Sequence, residues 1–172
     1  MRLETERLIL GPWSPEDWRE FHAIAADPEV IRYIGNGTPW SAERARQFVV
    51  RQMQLFAECG YCLWKMTPKH GGVIGFCGLQ PLPDTDEIEI GWWLARACWG
   101  RGLATEAARA ALCDARQRAG LGRIVSIAQP ANTASVNIMR KLGMHFERTL
   151  DRRGIAVVMY ASEPETANSK AG

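Results

Sequence analysis

Between residues 87 and 119 the sequence changes its hydrophobic period across a glycine-rich turn, and few folds accept that junction. Ile88, Ile90, Trp92 and Leu94 alternate with Glu87, Glu89, Gly91 and Trp93, the period of a strand. Leu103 to Ala119 is rich in Ala and reads as the strongest helix of the chain. Trp99-Gly100-Arg101-Gly102 lies between them. Two glycines at a helix entry let the backbone approach a ligand and take dihedrals costly to other residues. The first N–H groups of a helix have no internal acceptor and point outward at the positive end of its dipole. Strand, glycine turn and helix start therefore form a cradle suited to phosphate. Neither nucleotide fingerprint fits. A P-loop continues with Lys-Ser/Thr after its last glycine, whereas this turn runs on as Leu103-Ala104-Thr105. A dinucleotide GxGxxG lies between parallel strands, and an antiparallel meander precedes this one.

The remaining elements follow from periodicity and punctuation. Glu6 to Trp13 reads as a first strand. Ser14-Pro15-Glu16-Asp17 opens a helix carrying Trp18, Phe21, Ile24 and Ala25, and residues 27–34 form a short helical segment. Ser41 caps a long helix that Gly60 ends. Residues 61–67 and 73–80 are strands joined by a hairpin, and 87–94 is a third. After the helix from Leu103 come a strand at 123–129, a helix at 132–142, and strands at 144–150 and 154–161. That order predicts one α/β domain over residues 1–162, a mixed and mostly antiparallel sheet with helices on both faces. Residues 163–172 lack an apolar pattern and read as a flexible tail.

Composition narrows the function. The 172 residues hold 21 Lys and Arg against 19 Asp and Glu, a net charge of +2 that argues against nucleic-acid binding by bulk charge. No stretch has the apolar length of a membrane span, and Met1 to Arg7 lacks the apolar run of a secretory signal. Five cysteines without framework spacing fit reduced thiols, so a cytoplasmic protein is expected. Cys59-Gly60-Tyr61-Cys62 is a lone CxxC without the second pair of a zinc site, and no metal is expected. Trp13, Trp18 and Trp64 sit at positions expected in the core.

Three segments together resemble one family. Glu89-Ile90-Gly91-Trp92-Trp93-Leu94, then five residues, then Gly100-Arg101-Gly102-Leu103-Ala104-Thr105-Glu106-Ala107 is similar to the acetyl-CoA motif of the GNAT superfamily. Thr5-Glu6-Arg7-Leu8-Ile9-Leu10 resembles the opening strand of its ribosomal-protein-alanine N-acetyltransferase (RimJ/RimL-type) branch. Asn132-Thr133-Ala134-Ser135 followed by Lys141-Leu142-Gly143-Met144 resembles that branch's Asn-x-x-Ser and Lys-x-Gly-Phe segment. Many members carry a Tyr seven residues after the Asn as proton donor to the leaving thiolate. Met139 stands there, which leaves Ser135 as the available hydroxyl.

The resemblance implies a GNAT fold whose strands at 87–94 and 123–129 splay into a V, and acetyl-CoA as cosubstrate. It implies that Trp99, Gly100, Arg101, Gly102, Leu103, Ala104 and Thr105 hold the coenzyme A diphosphate. Trp93, Leu94, Asn132 and Ser135 would hold the pantetheine arm, with the Leu94 N–H polarising the thioester carbonyl. Direct transfer needs a neutral amine, and Glu89 is the best-placed carboxylate to take its proton, directly or through water. Trp40, Trp92 and Glu87 are candidates for the acceptor side. Charge supports an anionic donor and a cationic acceptor: residues 96–153 hold 11 basic and 4 acidic side chains, residues 1–95 hold 9 and 13. The expected activity is acetyl transfer to a primary amine, a protein N-terminus or a small molecule, by a monomer or homodimer. Two alternatives stay open: a catalytically silent acyl-CoA-binding module of the same fold, and a covalent mechanism through Cys98.

Overall fold

Alternating strands and amphipathic helices assemble around one eight-stranded sheet. The computed structural model describes residues 2–163. Its strands are β1 (Leu3–Glu4), β2 (Leu8–Gly11), β3 (Leu63–Pro68), β4 (Gly75–Pro81), β5 (Ile88–Leu94), β6 (Ile124–Ala128), β7 (His145–Asp151) and β8 (Ala156–Ser162). Its helices are α1 (Trp18–Ala25), α2 (Pro28–Ile31), α3 (Ala42–Cys59), α4 (Leu103–Gln117) and α5 (Thr133–Lys141). The spatial order is β1-β2-β3-β4-β5-β6-β8-β7, antiparallel throughout except between β5 and β6. The α/β architecture expected from the sequence is the observed one. The first strand differs: the segment expected from Glu6 to Trp13 is a strand only over Leu8–Gly11, and Leu3–Glu4 precedes it as a separate strand across a turn in which the Thr5 N–H donates to the Leu8 carbonyl at 2.9 Å. None of the described helices is long and apolar enough to cross a membrane.

Strand alternation feeds apolar cores on both sides of the sheet. Trp64, Met66, Cys77, Leu79, Ile90 and Leu94 pack with Leu103, Ala107, Ala108 and Ala111 of α4. Leu63, Phe76 and Trp93 pack with Phe21 and Ala25 of α1 and Ala45 and Val49 of α3. The second core is aromatic. Phe21 stacks on Phe48 at 4.7 Å, and Trp93 meets Phe76 at 5.0 Å and Trp40 at 4.9 Å. Trp13 and Trp64 are buried as expected. Trp18 is half-buried instead, its ring flanked by the guanidinium groups of Arg19 and Arg46.

One buried polar residue, Gln52, has a backbone cause. β2 ends at Gly11 opposite Lys65, so Leu63 has no partner on that side. Gln52 Oε1 accepts the Leu63 N–H at 2.9 Å and Trp13 Nε1 donates to the Leu63 carbonyl at 2.6 Å. Two side chains thus replace the missing ladder bonds of a buried strand end.

The start of β6 is fixed by charge. Arg123 donates to Glu87 before β5, to Glu147 on β7 and to Glu163 after β8, the last at 2.6 Å. The tail expected from residue 163 thus starts at a residue this guanidinium holds, and residues 164–172 lie outside the described residues. Arg123→Ala leaves three carboxylates without their shared cation and should lower stability by about 1–2 kcal/mol near neutral pH. The loss should shrink as the pH falls and the carboxylates protonate. Thermal melts of both proteins at pH 7 and pH 4.5 check this.

Candidate active site

β5 and β6 run parallel but share one register pair, Glu89 with Val125. Ser126 Oγ donates to the Ile90 carbonyl at 3.0 Å just beyond it. Further along, β5 continues to Leu94 with no partner on that side among the described residues, and the two strands open into a V. The Ala95 N–H donates to the Ile74 carbonyl at 2.8 Å, so the alternation of an antiparallel pair turns Trp93 and Gly91 toward β4 as well. Trp92 and Leu94 then aim their backbone groups into the V. The Leu94 carbonyl is already taken by Trp99 Nε1 at 2.8 Å, which leaves the Leu94 N–H facing the opening. Gly75 makes this end possible, since a Cβ there would lie 2.0 Å from the Trp93 carbonyl oxygen.

A cleft of about 510 Å³ fills the V. One wall is Trp92, Trp93 and Leu94, a second is Trp99, Gly100 and the first turn of α4, and a third is Asn132 to Lys141. The fourth, Glu29 to Ile34 around α2, went unrecognised in the sequence because its short pattern carries no motif. It brings Tyr33 to the cleft, whereas Met139, at the position where a Tyr is common, is fully buried.

The start of α4 differs from those of α2, α3 and α5 in one telling respect. Ser41 caps α3 through the Arg44 N–H, Asp27 caps α2 through Glu29, and Asn132 caps α5 through Ser135. The N-cap of α4 is Gly102, which has no side chain to accept a bond. The first helical bond of α4 runs from the Glu106 N–H to the Gly102 carbonyl at 3.0 Å. The N–H groups of Leu103, Ala104 and Thr105 thus face the cleft side without a cap. Gly100 and Gly102 hold φ of 70° and 75°, a left-handed conformation that other residues adopt at a cost. Asn132 spends its Oδ1 on the Ser135 N–H at 3.3 Å, and both residues line the cleft.

Four of the residues singled out in the sequence lie outside the lining. Arg101 is exposed and is not among the lining residues, although its neighbours on both sides are. Trp40 packs in the aromatic core behind Trp93, with the Arg44 guanidinium over its ring at 4.2 Å. Glu87 is committed to Arg123. Glu89 sits at the closed end of the V, beside Gln80, whose Nε2 donates to it at 3.3 Å.

The family model described as an acetyltransferase (GNAT) domain matches residues 7–145. The chain belongs to the GNAT family. The uncharacterized N-acetyltransferase p20 of Bacillus licheniformis is 31% identical over 151 residues, 86% of this chain and 84% of its own length. The solved acetyltransferase (GNAT family) from Bacillus anthracis is similar at a TM-score of 0.81 and 26% identity, covering 95% of this chain and 98% of that one. RimL, a ribosomal L7/L12 alpha-N-protein acetyltransferase solved with coenzyme A, has the same fold at a TM-score of 0.80 and 18% identity, covering 96% of this chain and 99% of its own. The protein is thus an acetyl-CoA-dependent acetyltransferase with a RimJ/RimL-like architecture.

Within this GNAT site Glu89 has unusual electrostatics. Burial pushes its carboxyl up to about 7, against the lowering effects of the Gln80 hydrogen bond and the Arg152 charge. Its folded pKa lies above the unfolded value, so the folded state binds the extra proton between about 4.5 and 7. Stability from this group is full below that window and is lost as the pH rises through it. Glu89→Gln should therefore raise the melting temperature relative to the parent at pH 8, and the gap should close at pH 5. A second expectation concerns the glycine turn. A Cβ at Gly102 meets only Arg7 Nη2, at 3.7 Å, so the strain of a substitution comes from its φ of 75° and not from crowding inside the protein. Gly102→Val should weaken coenzyme A binding about tenfold or more through that backbone cost, as calorimetry would read.

Proposed function

We propose that this enzyme moves the acetyl group of acetyl-CoA to a primary amine by direct attack in a ternary complex. The observation that carries the reading is the uncapped start of α4, opening into the same cleft as the unpaired end of β5. In this reading the N–H groups of Gly102, Leu103, Ala104 and Thr105 bind the diphosphate. Trp99 and Gly100 shape the turn. The backbone groups of Trp92 and Leu94 receive the pantetheine arm as an added strand, aided by the Asn132 amide. The Leu94 N–H donates to the thioester oxygen, where charge develops during attack.

Glu89 takes the proton from the attacking amine. It lies outside the cleft lining, so an ordered water carries the proton between them. A carboxyl held near 7 is well matched to that task. Ser135 returns a proton to the departing thiolate. Trp93, braced by Trp40, forms the acceptor wall and favours a slim amine. Glu87 has no part in this reading, because Arg123 holds it.

The reading has kinetic consequences. kcat/KM should rise with pH through about 7 as Glu89 loses its proton. Glu89→Gln should remove that limb and lower kcat about 100-fold. A variant that keeps both rate and profile would place the base elsewhere. Ser135→Ala should slow turnover more than it weakens acetyl-CoA binding. The deciding experiment is release of free thiol from acetyl-CoA across N-terminal peptides, polyamines, amino acids and aminoglycosides. Tight acetyl-CoA binding without turnover on any amine would favour a silent binding module. Cys98 lines the cleft, and full activity in Cys98→Ala would separate direct transfer from a covalent route.

A further inference from the structure

The Thr5-Glu6-Arg7 turn is a sequence motif that the proposed reaction leaves unused, and it makes several polar contacts to the glycine turn and the start of α4. Glu106, in the first turn of α4, accepts from Thr5 Oγ1 at 2.5 Å and from the Arg7 backbone N–H at 2.9 Å. Its second oxygen accepts from Arg7 Nε at 2.7 Å and from Nη2 at 2.6 Å. The remaining arm of the guanidinium, Nη1, donates to the Arg101 carbonyl at 2.9 Å. One side chain from the N-terminal turn thus grips both the glycine turn and the helix that follows it.

Two consequences follow for an anion at this helix start. The peptide between Arg101 and Gly102 is planar and trans, so its C=O and N–H point in opposite directions. Tying the carbonyl to Arg7 turns the Gly102 N–H the other way. Gly102 lines the cleft and Arg101 does not, which agrees with that orientation. The second consequence is electrostatic. A carboxylate in the first turn of α4 would repel a phosphate bound at the same helix end. The forked pairing with Arg7 cancels that charge. Burial acts to raise the Glu106 pKa, but the bonds from Thr5 and Arg7 outweigh it and keep the group ionised.

We propose that Arg7 is a positioning residue for the donor's diphosphate, aiming the Gly102 N–H into the cleft and cancelling the charge of Glu106. The inference rests on the reading of this cleft as the coenzyme A site. Thr5 and Glu106 complete the latch, and none of the three needs to touch the donor.

The test is equilibrium binding of coenzyme A and of pantetheine, which lacks the diphosphate, to the full chain and its variants by calorimetry. Arg7→Gln should weaken coenzyme A about tenfold and change pantetheine by less than about twofold. Arg7→Lys keeps a charge near Glu106 but cannot span both Glu106 and the Arg101 carbonyl, so it should show a smaller loss of the same selectivity. Equal losses for both ligands would make Arg7 a general structural residue and overturn the proposal. Unchanged coenzyme A affinity would overturn it too. If Arg7→Gln does not fold, Arg7→Lys is read by the same criteria. A parent that binds coenzyme A no more tightly than pantetheine would instead overturn the donor-site reading on which the proposal stands.

Discussion

β5 and β6 form a parallel junction in a sheet that is otherwise antiparallel among the described residues, and they hold it through a single register pair. The rest of the site depends on that brevity. Had the strands stayed paired, the backbone of Trp92 and Leu94 would have been consumed by β6, as strand groups normally are. Their separation leaves an unpaired strand end inside the protein, a liability on an outer edge and an asset where a partner of suitable shape is admitted. Ser126 closes the narrow end by bonding the Ile90 carbonyl, Trp99 caps the Leu94 carbonyl at the wide end, and Gly75 lets β4 run close beneath.

Rigidity around the opening comes from unlike sources on the two sides. Behind Trp93 stands a cluster of Phe21, Phe48, Phe76 and Trp40 in stacked, tilted and edge contacts. Such packing gives directional as well as apolar stabilisation. Toward α4 the support is polar, through Thr5, Arg7, Glu106 and the Arg101 carbonyl. The aromatic side can fix a wall against an acceptor without offering hydrogen bonds that would compete for it. The polar side orients the backbone of the glycine turn at the start of α4.

Net charge along the chain proves a poor guide to charge in the cleft. Residues 96–153 carry a large basic excess, yet Arg123 is shared among three carboxylates and Arg118 is bonded to Asp114. The charged groups that line the cleft are Glu29, Arg32 and Lys141. Glu87, just before β5, and Glu89 on it stand two residues apart, but Arg123 binds the first and burial lifts the second to about 7. Two like residues thereby acquire separate fates from their surroundings alone.

Much of the fold was legible because it depends on local rules. Period-two alternation located β3 to β8, and Ser41, Gly60 and the glycines at 100 and 102 marked helix ends through capping and left-handed φ. The glycine turn and the uncapped start of α4 were legible for the same reason: glycine spacing and a helix start are features of neighbouring residues. Arg7 and Glu106 lie 99 positions apart, and no periodicity announces their meeting. α2 is too short to show a face, so its place as a cleft wall was hidden. The sequence by itself determined which segments become strands and helices, and where backbone groups go uncapped, since those follow from dihedral preference and hydrophobic period. Only the tertiary structure decided where β5 and β6 part, which carboxylate is paired and which is desolvated, and what braces the glycine turn. Those outcomes are set by distances between residues remote in the chain.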